Sequence, residues 1–295
     1  MSEKEYDLGF GYLGNGTTVW NRLEEVDNDY KTIAHISDEG KTIKYYEELP
    51  DEVRKHIEAF AERKKTESTE ESEDDEEIEN IRRACKVTDD CFEYILGYIK
   101  PGMTEKQIAR EIDDYYYKNA EGTSFDTIVA SGENSSKPHA VPTDRTIQKK
   151  DIITIDMGCK IDGYCSDMTR TFFVGEIPEE MKKVYDLVLK NQVQTLNDMR
   201  EGYSTKMLAK MVDNDFRLNN YDLIHALGHG VGLDIHESPI ISTRSENILK
   251  ENMVVTDEPG IYIAGQFGIR IEDTVLITKG GCEALTKSNK EYVVI

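Results

Sequence analysis

The chain has 295 residues, 58 acidic and 36 basic, for a formal net charge of −22. That balance argues against nucleic acid or an anionic membrane as partner, because both attract Lys and Arg. No apolar run approaches the roughly 20 residues that span a bilayer, the N-terminus lacks a basic-then-apolar leader, and five cysteines without a CxxC read as reduced thiols of a cytoplasmic protein.

Residues 1–65 predict a small unit of three strands and a helix. TTVW (17–20), KTIAHI (31–36) and KTIKYY (41–46) alternate like strands, and Ser37-Asp38-Glu39-Gly40 is the turn between the last two. Pro50-Asp51 opens an amphipathic helix carrying Val53, Ile57 and Phe60. Gly9, Gly11 and Gly14 fit a dinucleotide fingerprint formally, but a strand-like stretch follows where a helix is required. Residues 66–80 hold nine acids and no base, which predicts a solvated linker whose end is compatible with the first turn of the next helix.

Residues 81–295 predict an α+β domain. A helix runs from Ile81 to Ile99, Pro101-Gly102 breaks it, and Thr104 with Gln107 forms a capping box for the next. Strands are expected at 127–131, 152–157, 164–174, 253–257 and 269–277, with helices at 178–199 and 204–218 between them. No fixed-period repeat is apparent.

Carboxylates stand in these strands where apolar residues belong. Asp156 follows Ile152, Ile153 and Ile155, and an acid there needs a partner or a cation. Asp162-Gly163 predicts a two-residue hairpin in which paired residues sum to 325. Asp156 then faces Thr169, and Asp167 lies two residues away on the same face. Glu258 ends the run MVVTDE, and Glu272 sits inside IRIEDTVLI. As a single feature, Glu258 before Pro259-Gly260 reads equally as a turn carboxylate. Three of the six histidines, His225, His229 and His236, fall in HALGHGVGLDIH among glycines that permit close backbone approach, and His139 lies in KPHAVP. Four carboxylates and an imidazole suit Mn²⁺ or a similar divalent ion and balance two of them. A pair about 3.5–4 Å apart makes a hydrolytic site.

The segments DMGCKIDGYCSDMTRTF, HALGHGVGLDIHESP, DEPGIYI and IRIEDTVLIT closely resemble the catalytic domain of the pita-bread metallopeptidases, from about residue 79 onward. IHESP and the RIED run look like the Xaa-Pro aminopeptidase and prolidase branch. The resemblance implies two divalent ions, Mn²⁺ first with Co²⁺ or Zn²⁺ open, held by Asp156, Asp167, His229, Glu258 and Glu272. It implies substrate contacts from His139, His225, His236 and Arg270. It implies catalytic roles for Glu258 in proton transfer, His236 at the oxyanion and His139 in orienting substrate. The implied substrate is a peptide with proline at its second position. Residues 1–65 do not resemble the longer N-terminal domain of full-length members, so a homodimer stays open. Dipeptidase-type members carry an arginine four residues after the histidine of HESP, where this chain has Ile240. That favours an aminopeptidase over a dipeptidase. A methionine aminopeptidase and a non-catalytic peptide-binding module are the alternatives.

Overall fold

The computed structural model describes the backbone of residues 5–7, 22–24, 32–37 and 40–45, and all of residues 75–295. The chain divides into two compact units, Met1–Glu71 and Ser72–Ile295.

In the first unit, β1 (Glu5–Asp7), β2 (Arg22–Glu24), β3 (Thr32–Ser37) and β4 (Gly40–Tyr45) form an antiparallel sheet in chain order. β3 and β4 are the expected pair, and Ser37 opposite Gly40 closes the expected turn. β1 and β2 were not anticipated, because three residues are too few to show an alternation. The strand expected at 17–20, the helix after Pro50 and the glycine motif at 9–14 lie outside the described residues.

The second unit opens with α1 (Asp75–Tyr98). Residues 75–80 are therefore helix, where a linker through residue 80 was expected. Asp75, Glu76 and Glu77 occupy the first turn, where the helix dipole favours negative charge. Ile78, Ile81, Ala84, Cys85, Cys91, Phe92 and Ile95 form its buried face. Thr104 caps α2 (Glu105–Asn119) in the expected box with Gln107. Then come β5 (Ile128–Ser131), a 3-10 turn (Gly132–Ser136), β6 (Ile152–Met157), β7 (Lys160–Ile161), β8 (Tyr164–Cys165) and β9 (Met168–Phe173). The helices α3 (Glu179–Asp198) and α4 (Thr205–Leu218) follow. The chain ends with β10 (Gly228–Gly230), β11 (Glu237–Ile241), β12 (Val254–Asp257), β13 (Gly260–Ile263), β14 (Phe267–Arg270), β15 (Asp273–Ile277) and β16 (Cys282–Ala284). One antiparallel sheet has the order β5-β6-β9, another β11-β10-β12-β15-β16, and β13 pairs with β14.

The unit does contain a repeat, of about one hundred residues, contrary to expectation. Two helices precede a sheet twice, and details recur: Gly102 N–H donates to Ile147 O and Gly202 N–H to Leu249 O, both at 2.8 Å. Thr104 and Ser204 cap α2 and α4. Lys150 and Asn252 adopt positive φ (72° and 68°) shortly before β6 and β12. The sequence signal is short, Gly-x-Thr against Gly-x-Ser, and too long in period to register as a repeat.

The halves meet where β9 runs beside β14 and β15. Glu272 N–H donates to Thr169 O at 3.1 Å, Thr274 Oγ1 donates to Asp167 O at 2.7 Å, and Thr171 Oγ1 to Arg270 O at 2.9 Å. Arg170, 1% exposed, crosses this seam and pairs with buried Asp273 at 2.7 Å. The guanidinium also reaches the carbonyls of Thr169, Glu272 and Ser288.

Candidate metal centre

The functional side chains gather at the seam. The β6–β9 hairpin has the expected register, with Asp156 opposite Thr169, and Asp167 immediately precedes β9. β10 carries His229, and its glycines have a specific cause. A Cβ at Gly228 would lie 2.0 Å from Thr256 O, and one at Gly230 2.3 Å from Ser238 O. The glycines thus admit β12 and β11 to either side of the histidine. Glu258 follows β12, anchored by its N–H on Leu227 O at 2.8 Å. Glu272 lies between β14 and β15.

Asp167, His229 and Glu272 are buried, and one ligand atom from each lies within 4.8 Å of the others. His229 Nε2 is 3.6 Å from Asp167 Oδ2 and 3.6 Å from Glu258 Oε1. His229 Nδ1 is 3.0 Å from the Gly230 carbonyl, which can only accept, so Nδ1 carries the proton and the Nε2 lone pair faces the carboxylates. Burial holds the His229 pKa down at about 4, which keeps the ring neutral near pH 7.

Arg270 is the buried cation that offsets the four carboxylates here, while Arg170 at the same seam is paired with Asp273. Asp167 and Glu272 are pushed well above the usual carboxylate range, first by burial and then by their acidic neighbours. Burial raises Glu258 to about 7, with Asp156 adding to the effect and Arg270 opposing it. Asp156 Oδ2 accepts from Arg270 Nη2 at 2.6 Å, while its buried Oδ1 has no partner. An imidazole lone pair, an orphaned carboxylate oxygen and crowded like charges form a donor set short of positive charge. Divalent cations fit that set.

The remaining sequence candidates take different positions. His236 and His139 are exposed at the mouth of the site. His236 meets the His229 ring edge to face at 4.4 Å. Its pKa is lowered by desolvation, with His139 adding to the effect and Asp156 opposing it. His225 has both ring nitrogens engaged. Nδ1 donates to Ala226 O at 2.6 Å, which leaves Nε2 to accept from Tyr262 Oη at 3.0 Å.

The resemblance placed Arg270 among the substrate contacts; in the structure it is 3% exposed, and four of its five N–H donors go to groups of the chain. Nε donates to Thr169 Oγ1 at 2.8 Å, Nη1 to Pro138 O and Tyr262 Oη at 3.0 and 2.9 Å, and Nη2 to Asp156. It lies beneath the carboxylates as their internal counter-charge. Thr169 and Tyr262 were not singled out for the site. Thr169 faces Asp156 in the hairpin register and also donates to Glu272 Oε2 at 2.5 Å. Tyr262 alternates with Ile261 and Ile263 on β13, the one available signal.

A buried, cation-seeking cluster of carboxylates and one imidazole, shared by two repeated halves, defines a metal-centre protein. Residues 79–279 match the metallopeptidase family M24, and the chain belongs to that family. It is 42% identical over 221 residues to an Xaa-Pro dipeptidase of Pyrococcus furiosus, covering 74% of this chain and 63% of the relative. It is 40% identical over 222 residues, with the same two coverages, to an uncharacterized peptidase of Bacillus subtilis. The chain thus spans less than two thirds of these relatives' length. The crystal structure of an X-Pro aminopeptidase from Thermotoga maritima superposes with a TM-score of 0.76 at 39% identity, covering 79% of this chain and 67% of that one. These neighbours share the pita-bread architecture. Among the described residues, no helix is long and apolar enough to cross a membrane.

Proposed function

We propose that the chain hydrolyses the peptide bond before proline at the N-terminus of peptides, as an Xaa-Pro aminopeptidase. The observation that carries this reading is the convergence of the His229 lone pair on the Asp167 and Glu258 carboxylates, with Glu272 completing the cluster. Asp156, Asp167, His229, Glu258 and Glu272 would hold two divalent ions, Mn²⁺ first among them. When bound, such ions supply an activated water near neutral pH and Lewis-acid polarisation of the scissile carbonyl.

The protein's own residues divide the remaining work. Glu258 turns Oε1 toward His229 and Oε2 toward His225, at 3.6 and 4.0 Å. That placement suits it to take the proton of the attacking water and deliver it to the proline nitrogen. His236 supports the developing oxyanion from the mouth, and His139 orients the substrate. His225 is locked by Tyr262 and forms a wall of the substrate pocket. The Xaa-Pro bond has no N–H, so a backbone clamp of the usual protease kind has nothing to hold. In this reading, the unit Ser72–Ile295, from the acidic first turn of α1 onward, is the catalytic domain, and Met1–Glu71 is a separate unit.

The relatives named Xaa-Pro dipeptidase favour a second reading, activity on dipeptides alone. Against it stands Ile240, apolar and 44% exposed, at the position of the dipeptidase arginine. The deciding experiment assays Xaa-Pro, Xaa-Pro-Yaa and Met-Ala-Ser peptides with Mn²⁺, Co²⁺ and Zn²⁺. Cleavage of Xaa-Pro-Yaa is expected. Cleavage of the dipeptide alone establishes the second reading, and cleavage of neither refutes both. About two equivalents of metal in the purified protein separate an enzyme from a binding module.

A further inference from the structure

Glu105, the first residue of α2, is fully buried, and none of its hydrogen-bond partners carries a charge. Its Oε1 accepts from the Ser131 N–H at 2.6 Å and the Ser131 hydroxyl at 2.7 Å. Its Oε2 accepts from Asn134 Nδ2 at 3.0 Å, and from the Thr143 N–H and hydroxyl at 2.9 and 2.6 Å. Taking a carboxylate out of water is costly, and these bonds offset that cost together with the Arg145 guanidinium, which donates to the same Ser131 hydroxyl at 2.7 Å. What they hold is the segment that leaves β5: Ser131 is the last residue of β5 and Thr143 lies further along the connection to β6, so one anion ties both together.

The loop leads to the metal centre. The Pro138 carbonyl accepts from Arg270 Nη1 at 3.0 Å, and Arg270 pairs with Asp156. His139, which is exposed, is the next residue along the chain. Of the apolar side chains between 132 and 142 only Ala140 is buried, and Val141 is 76% exposed. Apolar side chains therefore do little to place the segment, whose buried members besides Ala140 are Asn134 and Ser135, with the β14 backbone close on Ser135 at Gly268. Its other attachments are polar as well, with the Gly268 N–H donating to Ser135 Oγ at 2.9 Å and the Gly265 N–H to Ser136 Oγ at 3.3 Å.

We propose that Glu105 is a positioning residue. It fixes the 131–143 loop so that His139 stands over the metal centre, and through that loop it sets substrate orientation. The substrate part rests on the peptidase reading above; the loop part stands on the hydrogen bonds alone.

The test is Glu105→Gln in the full chain, whose amide nitrogen faces donors where an oxygen accepted. Hydrogen exchange of the amides of residues 131–143 should accelerate about tenfold or more while β6 and α1 keep their protection. Metal content should stay at the wild-type level. kcat/KM on an Xaa-Pro peptide should fall about tenfold, and much less in a His139→Ala background, because the two residues act as a unit. Unchanged loop exchange, loss of metal, or an equal cost in both backgrounds would overturn the proposal. If Glu105→Gln does not fold, Thr143→Val removes one hydroxyl donor to Oε2 and should show the same pattern at smaller size. If the wild type cleaves no Xaa-Pro peptide, the peptidase reading fails and the exchange result alone decides the role of Glu105.

Discussion

In metal-stripped protein, Glu258 offers a direct measure of what the crowded carboxylates cost. Burial and Asp156 lift its pKa from 4.5 to about 7 against the pull of Arg270 and Thr256. Between those values the folded state holds a proton that the unfolded chain has released. Stability therefore falls as pH rises from 4.5 to 7, and the cost remains in full above 7. The shift corresponds to about 3 kcal/mol, or about 6–12 °C in Tm for a unit of this size. His225 and His229, both held near 4, act with the opposite sign between 4 and their ordinary 6.5. A raw melting profile mixes the two effects. Comparing wild type with Glu258→Gln isolates the effects that need the Glu258 carboxyl, its own titration and its action on His225, His229, Asp167 and Glu272, because the amide does not titrate. By calorimetry after chelation, the Gln variant should gain on wild type by that amount between pH 4.5 and 8. With Mn²⁺ restored the order should reverse, since the variant has lost a carboxylate from the centre. A wild-type–variant difference that ignores pH in the stripped protein would refute the electrostatic reasoning.

Asp167→Ala and Glu272→Ala should each lower bound metal and reduce turnover at least about a thousandfold; near-normal turnover in either variant, read beside its metal content, contradicts a two-ion centre. Arg270→Leu leaves Asp156 without its counter-charge and should cost about 3–5 kcal/mol in urea unfolding. Arg270→Lys should not restore it, because one ammonium cannot meet Thr169, Pro138, Tyr262 and Asp156 together. Tyr262→Phe removes the hydroxyl between Arg270 and His225 and should cost about 1–2 kcal/mol by the same measurement. A chain beginning at residue 72 should keep wild-type turnover; its loss would tie the first unit to catalysis.

Local chemistry made part of this structure readable in advance. Asp162-Gly163 fixed the register that pairs Asp156 with Thr169, and Thr104 with Gln107 marked the start of α2. Acids inside apolar strands pointed to Asp156 and Glu272 before any fold was known. Features that depend on distant chain were not readable. Arg270 sits two residues from Glu272 in a strand, and nothing nearby reveals that its guanidinium is buried against a hairpin more than one hundred residues earlier. Glu105 looks like an ordinary first-turn acid, because its partners lie 26 to 38 residues away. The end of the acidic run was ambiguous for a different reason. Acids suit both a solvated tether and a helix N-terminus, and Ile78 and Ile81 on the buried face of α1 decided for the helix.

The seam between the two halves also bears on kinetics. Asp156 and Asp167 come from the first half, and His229, Glu258 and Glu272 from the second, so neither half alone presents the full donor set. A cation can engage all of it only after the halves have docked, which places its binding late in folding. Interactions absent from the folding transition state slow unfolding without hastening folding. A loaded centre would thus lengthen the lifetime of the native chain, acting as a latch set after assembly rather than a template for it.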